Sequence, residues 1–194
     1  MSDTHQQLIA KLAEELGPAT AQHLVSCLVE AAVKPNQAEG VLLLLDELHE
    51  ISPKVARAAM ESFPDLQRRD RLSDAVAWLD LGIALAGSSG AIGLKYFKES
   101  PLVLGLIETP SGRSLVLKTA LELAEQDANV ALEFLRVSPE VVTVISPDQL
   151  EAWLEIGFEL TQVDFVVALE YIRQIPAVAR VLPFRIPGTG RRSD

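Results

Sequence analysis

An all-α solenoid is the fold class this sequence predicts, and three observations predict it. Pro64, Pro101, Pro139 and Pro176 follow one another at intervals of 37, 38 and 37 residues. Trp78-Leu79-Asp80-Leu81-Gly82 returns 75 residues later as Trp153-Leu154-Glu155-Ile156-Gly157. Hydrophobic residues make up 48% of the chain but aromatic residues only 5%, so the core is aliphatic, the usual filling of packed helices. A period in this range marks a helical array in which each unit buries its apolar face against its neighbours. The expected architecture is a right-handed α-solenoid of HEAT/armadillo-like repeats of about 37 residues, with an N-terminal helical hairpin as cap.

The elements follow in order along one domain of 194 residues. Residues 1–37 form the cap: helices over Thr4–Gly17 and Ala19–Lys34, broken at Gly17-Pro18, with Lys34-Pro35 closing the second. Four repeats then span 38–73, 74–111, 112–148 and 149–186, and 187–194 is a flexible tail rich in Pro, Gly and Arg. The third repeat shows the pattern. Leu115, Val116, Leu117, Ala120, Leu121, Leu123 and Ala124 give the apolar face of a helix A. Ala128 to Val137 form helix B, with Val130, Ala131, Phe134 and Leu135 on one side. Ser138-Pro139 is expected to stop it, because proline lacks the backbone donor and crowds the preceding turn. A short helix C over Glu140–Ile145 follows, so each repeat is expected to hold three helices.

Superposing the repeats supports this register. Ser52, Ser89, Asp127 and Asp164 all fall at the start of helix B, and all are good N-cap types. Ala56, Gly93, Ala131 and Ala168 share one small-residue position, which implies close helix approach. Ala59, Tyr96, Phe134 and Tyr171 share the next contact position.

Charge and composition exclude some functions. The formal net charge of −10 repels phosphate backbones, which argues against nucleic acid as a partner. The longest uncharged run, Leu81 to Leu94, has 14 residues and is interrupted by glycine and serine, too short for a membrane span. No basic-then-apolar leader opens the chain, and the cytoplasm is the expected location. Cys27 is the one cysteine, so no internal disulfide forms, and its apolar neighbours read it as a buried thiol.

No catalytic, cofactor or metal site is expected. Gly87-Ser88-Ser89-Gly90-Ala91-Ile92-Gly93 lacks the Lys-Ser/Thr pair of a phosphate loop and falls at the A–B turn of the second repeat. His49, in Glu47-Leu48-His49-Glu50, has no second histidine at zinc-protease spacing. His23 and Cys27 are four apart on one helix, but no third group is evident to orient them. Glu133–Arg136 and Glu170–Arg173 read as intrahelical ion pairs.

Two clusters suit protein binding. Lys98, Arg136 and Arg173 occupy one helix B position in successive repeats, which stacking would align into a ladder on one surface. Arg68, Arg69 and Arg71 form the densest basic group and offer a second docking point for an acidic partner.

The phrases Trp78-Leu79-Asp80-Leu81-Gly82…Tyr96-Phe97-Lys98-Glu99-Ser100-Pro101 and Trp153…Gly157…Tyr171-Ile172-Arg173-Gln174-Ile175-Pro176 resemble a known pattern. It is that of the helical-repeat regions ahead of the von Willebrand factor A domain in nitric oxide reductase activation and Rubisco activation proteins. The resemblance covers roughly residues 74–183, and it implies an adaptor working with a MoxR-type AAA+ ATPase that remodels metalloenzymes. The Asp-x-Ser-x-Ser metal signature of a von Willebrand domain occurs nowhere in this chain, so nothing of that metal site carries over. The function expected is therefore a non-enzymatic scaffold or adaptor whose partner is a protein, an AAA+ ATPase or its client. The alternative is a small-molecule or cofactor-binding helical domain using an apolar groove near Tyr96, Phe134 and Tyr171.

Overall fold

In a computed structural model of the protein the described residues are 35–67 and 74–181, together with Ala10, Glu14 and Gly17. They are all-α: eight helices and no strand among them. The helices are α1 (Pro35–Ile51), α2 (Pro53–Gln67), α3 (Ala75–Ser88), α4 (Gly90–Gly105), α5 (Pro110–Ala124), α6 (Ala128–Val144), α7 (Pro147–Val163) and α8 (Phe165–Val181). Of the expected cap, Gly17 takes a φ of 86°, the left-handed region that glycine enters without a Cβ penalty. Most of that cap, His5, His23 and Cys27 included, lies outside the described residues, as does the tail.

Helix starts follow the sequence closely. Pro53, Pro110 and Pro147 open α2, α5 and α7, where a missing donor costs nothing. The Thr109 hydroxyl accepts from Gly112 N at 3.1 Å to cap α5. The Asp127 carboxylate accepts from Asn129 N and Val130 N at 2.8 and 3.0 Å, and Asp164 does the same for Val166 N at 2.8 Å. Ser89 precedes α4 in an extended conformation but makes no capping bond through its side chain.

The prolines at the 37-residue beat do not end helices, which corrects the three-helix repeat. Pro101, Pro139 and Pro176 lie inside α4, α6 and α8, so the expected helices B and C are one helix in each. Proline's fixed φ is compatible with a helix; what it removes is the donor to the carbonyl four residues back. At Pro139 that carbonyl belongs to Leu135, and the Ser138 hydroxyl donates to it instead, at 2.7 Å. Pro101 and Pro176 are buried, so packing further offsets the local cost.

Each second helix folds back on the one before it, α2 on α1, α4 on α3, α6 on α5 and α8 on α7. The hairpins then align like with like. α1 packs on α3 and α3 on α5 along one edge, while α2, α4, α6 and α8 pack in sequence along the other. α7 is the exception: it holds to α8 and makes little contact with α5.

The core runs continuously between the two edges. Ala56, Gly93, Ala131 and Ala168 are all buried, as close helix approach requires. A Cβ on Gly93 would stand 2.9 Å from that of Ala86 and 3.1 Å from Val55 Cγ1. An aromatic cluster joins the second, third and fourth helices. Phe97 meets Trp78 edge-on with ring centres 4.8 Å apart, Tyr96 at 5.0 Å, and Phe63 closes the cluster 6.3 Å from Trp78. Gly82 lies directly under the Phe97 ring, in space a methyl group would occupy.

Candidate functional site

Arg136 and Arg173, two of the three residues of the expected ladder, meet at Glu133 on the even-numbered edge, where both are ion-paired. Arg136 on α6 reaches back to α4 and donates from Nε and Nη2 to the two oxygens of Glu99, at 2.8 and 3.0 Å. Arg173 on α8 reaches back to α6 and donates from Nε to Glu133 at 2.8 Å. The intrahelical pairs anticipated from spacing also form, Arg136 with Glu133 at 3.2 Å and Arg173 with Glu170 at 3.9 Å. They are the longer contacts. Arg180 on α8 adds a further tie to Glu140 on α6 at 3.1 Å.

The charges respond to this pairing. The hydrogen bond from Arg173 holds the Glu133 carboxyl below the ordinary glutamate range, against a smaller opposing effect of burial. Glu99 in turn raises the Arg136 guanidinium, and Glu133 raises that of Arg173. Lys98, the first residue of the predicted ladder, is exposed on α4 and makes no ion pair among the described residues. Arg68, Arg69 and Arg71 lie outside the described residues.

A second tie, on the odd-numbered edge, was not visible in the sequence. Arg113 in the first turn of α5 donates from Nε to Asp74, which precedes α3, at 3.1 Å. Its Nη1 donates to the carbonyls of Ile107 and Glu108 at 2.9 and 3.2 Å. Both side chains are buried, so the pair is shielded from solvent.

Tyr96 and Tyr171 make one bond twice. The Tyr96 hydroxyl donates to the Trp78 carbonyl at 2.9 Å, and the Tyr171 hydroxyl donates to the Trp153 carbonyl at 2.8 Å. Trp78 Nε1 donates onward to Ser100 Oγ at 2.7 Å. Burial pushes the Tyr96 phenol well above its ordinary value and that of the half-buried Tyr171 up to about 12.

These contacts remove the groove expected near Tyr96, Phe134 and Tyr171. Tyr96 and Phe134 are fully buried in the core, and the half-buried Tyr171 is held by its hydrogen bond to Trp153, so the three rings do not line a common cleft. Clefts occur elsewhere. One of about 540 Å³ opens between the α4–α5 turn and the C-terminal half of α6, lined by Ile107, Thr109, Leu115, Pro139 and Val142 among others. A smaller one of about 190 Å³ lies between α5 and α7, where those helices separate. His49 sits half-buried in the last turn of α1. Among the described residues no three histidine, cysteine or acidic side chains are grouped to hold a metal ion, and no helix is long and apolar enough to cross a membrane.

Glu99, Glu140, Asp74 and Arg113 are the partners that reading along the sequence missed. Glu133 and Glu170 carried a signal, since they repeat at 37 residues alongside their arginines. Asp74 and Arg113 carried none, because neither recurs in another repeat. In comparisons with known proteins the chain matches no family model, no curated protein and no solved structure.

Proposed function

We propose that the protein is a non-enzymatic scaffold or adaptor: a right-handed α-solenoid of HEAT/armadillo-like units, each a helical hairpin, that binds another protein along its stacked second helices. The observation that carries this reading is the like-on-like packing of α2, α4, α6 and α8, which makes one continuous surface from repeated positions. Arrays built this way use such surfaces for extended contact with partners. Lys98, Arg136 and Arg173 lie on it, with Arg68, Arg69 and Arg71 as a further candidate group. The resemblance of residues 74–183 to the repeats of nitric oxide reductase and Rubisco activation proteins points to a MoxR-type AAA+ ATPase, or its client, as the partner, and the cytoplasm is the setting expected from the sequence.

The test is direct titration of the full chain with a purified MoxR-type ATPase from the same genome, read by fluorescence anisotropy and by ATP turnover. Saturable binding that Lys98→Glu weakens supports the reading. No binding at micromolar concentrations of either protein removes the ATPase from it.

The 540 Å³ cleft beside α6 favours one second reading, a small-molecule or cofactor-binding helical domain. A ligand retained through native mass spectrometry, and lost in Val142→Trp, would select it over the adaptor.

A further inference from the structure

The repeat register singles out a surface on α8 whose counterpart on α6 is covered. Val130 and Val141 of α6 are 0% exposed, whereas Val167 and Val178, 37 residues further on, are 48% and 37% exposed on α8. Phe134 is fully buried and its counterpart Tyr171 only half-buried. What distinguishes the two helices is that α6 has a following hairpin packed on it and, among the described residues, α8 has none. Val167, Tyr171 and Val178 recur at helical spacing, so they form one stripe.

The charge pattern is open at the same place. Glu133 receives Arg173 from the next hairpin at 2.8 Å, and its side chain is 14% exposed. Glu170, its counterpart on α8, is 60% exposed. It accepts from Gln174 Nε2 at 2.9 Å and faces Arg173 of its own helix at 3.9 Å, with no arginine arriving from another helix among the described residues.

We infer that this face of α8 is the docking site for an amphipathic helix of a partner protein, one with an apolar stripe and an arginine or lysine placed to meet Glu170. The site continues the interface that α8 itself makes with α6, so a helix of the same kind fits it. Charge selects a basic partner over a second copy, since each copy carries a net charge of −10. The inference deepens the adaptor reading, and rests on it only in taking the occupant to be another protein.

A synthetic, fluorescein-labelled peptide of Phe165–Val181 is the probe, because that segment already covers α6 in this register and carries Arg173. Titrated with the full-length chain, it binds saturably. Val167→Asp in the protein weakens it at least about ten-fold by placing a charge in the apolar stripe. Glu170→Arg weakens it about five-fold, and a peptide with Arg173→Glu recovers the loss on that variant alone. Circular dichroism and the unfolding midpoint of each variant stay as in the parent. No saturation by about 1 mM, or parent-like binding by both variants, overturns the proposal. So does a dimer in light scattering that Val167→Asp dissolves, which gives the face to a second copy. A gain of about ten-fold in peptide affinity on Leu182→Asp with Phe184→Asp gives it to the chain's own end and overturns the proposal equally. Peptide binding without ATPase binding removes the ATPase from the adaptor reading and leaves this site standing; ATPase binding without peptide binding does the reverse.

Discussion

The Arg136 guanidinium on α6 holds both oxygens of the Glu99 carboxylate on α4, at 2.8 and 3.0 Å. Planar fork meets planar carboxylate, an arrangement lysine cannot reproduce. Both side chains are more than a third exposed, so solvent screens most of the attraction. Arg136→Lys and Arg136→Ala should each lower unfolding free energy by only about 0.5–1 kcal/mol, and the difference from the parent should shrink in 1 M salt. Urea titrations at two salt concentrations check both statements.

Acid should loosen the same edge. The Glu133 carboxyl is held below its ordinary range by Arg173, so its contribution to stability is complete above the unfolded-state value and is lost as pH falls through the lowered one. The gap in melting temperature between parent and Glu133→Gln should therefore be widest near neutrality and close as pH falls below about 4. A gap that stays constant down to pH 3 would show that the carboxylate charge contributes nothing.

The odd-numbered edge should be far less tolerant of change. Arg113 and Asp74 are both buried, and removing either leaves a charge without its counterpart away from water. Arg113→Ala or Asp74→Ala should each cost about 3–5 kcal/mol, while the Asp74→Leu, Arg113→Met double variant should cost much less than the sum of the two. Denaturant unfolding of the three variants gives the coupling directly.

How much of this was legible in the sequence depended on whether a residue repeats. The buried small positions Ala56, Gly93, Ala131 and Ala168 and the caps Asp127 and Asp164 recur, so register found them. The ladder arginines recur too, but their strongest bonds run to glutamates on another helix, which spacing within one helix does not reveal. Asp74 and Arg113 occur once and are 39 residues apart, so only the folded chain brings them together. The prolines misled for a physical reason. A proline inside a helix removes one donor, and at Pro139 the neighbouring serine hydroxyl serves the orphaned carbonyl, so the helix continues.

Two glycines of α3 should answer in opposite senses to one substitution. A methyl on Gly82 collides with the Phe97 ring, so Gly82→Ala should cost about 1–3 kcal/mol. Gly87 has nothing within 4 Å of the same position, and Gly87→Ala should stabilise by about 0.5–1 kcal/mol through helix propensity. Thermal unfolding separates the two.

Alkali should act through the tyrosines. Both phenols are raised, so the stability they confer is complete below the unfolded-state value near 10 and is lost as pH climbs through the folded one. The parent should lose stability above about pH 10 more steeply than Tyr96→Phe with Tyr171→Phe, although that variant starts about 1–3 kcal/mol lower for want of two hydrogen bonds to tryptophan carbonyls. Melting curves between pH 8 and 11 decide this.

The two edges of the molecule are thus fastened by different hardware. Along α4, α6 and α8 the fasteners are exposed ion pairs that dissolved salt can loosen; between α3 and α5 the fastener is sealed inside. Rising ionic strength therefore weakens the ties along one edge and spares the sealed tie of the other, so the two edges answer the surrounding medium unequally.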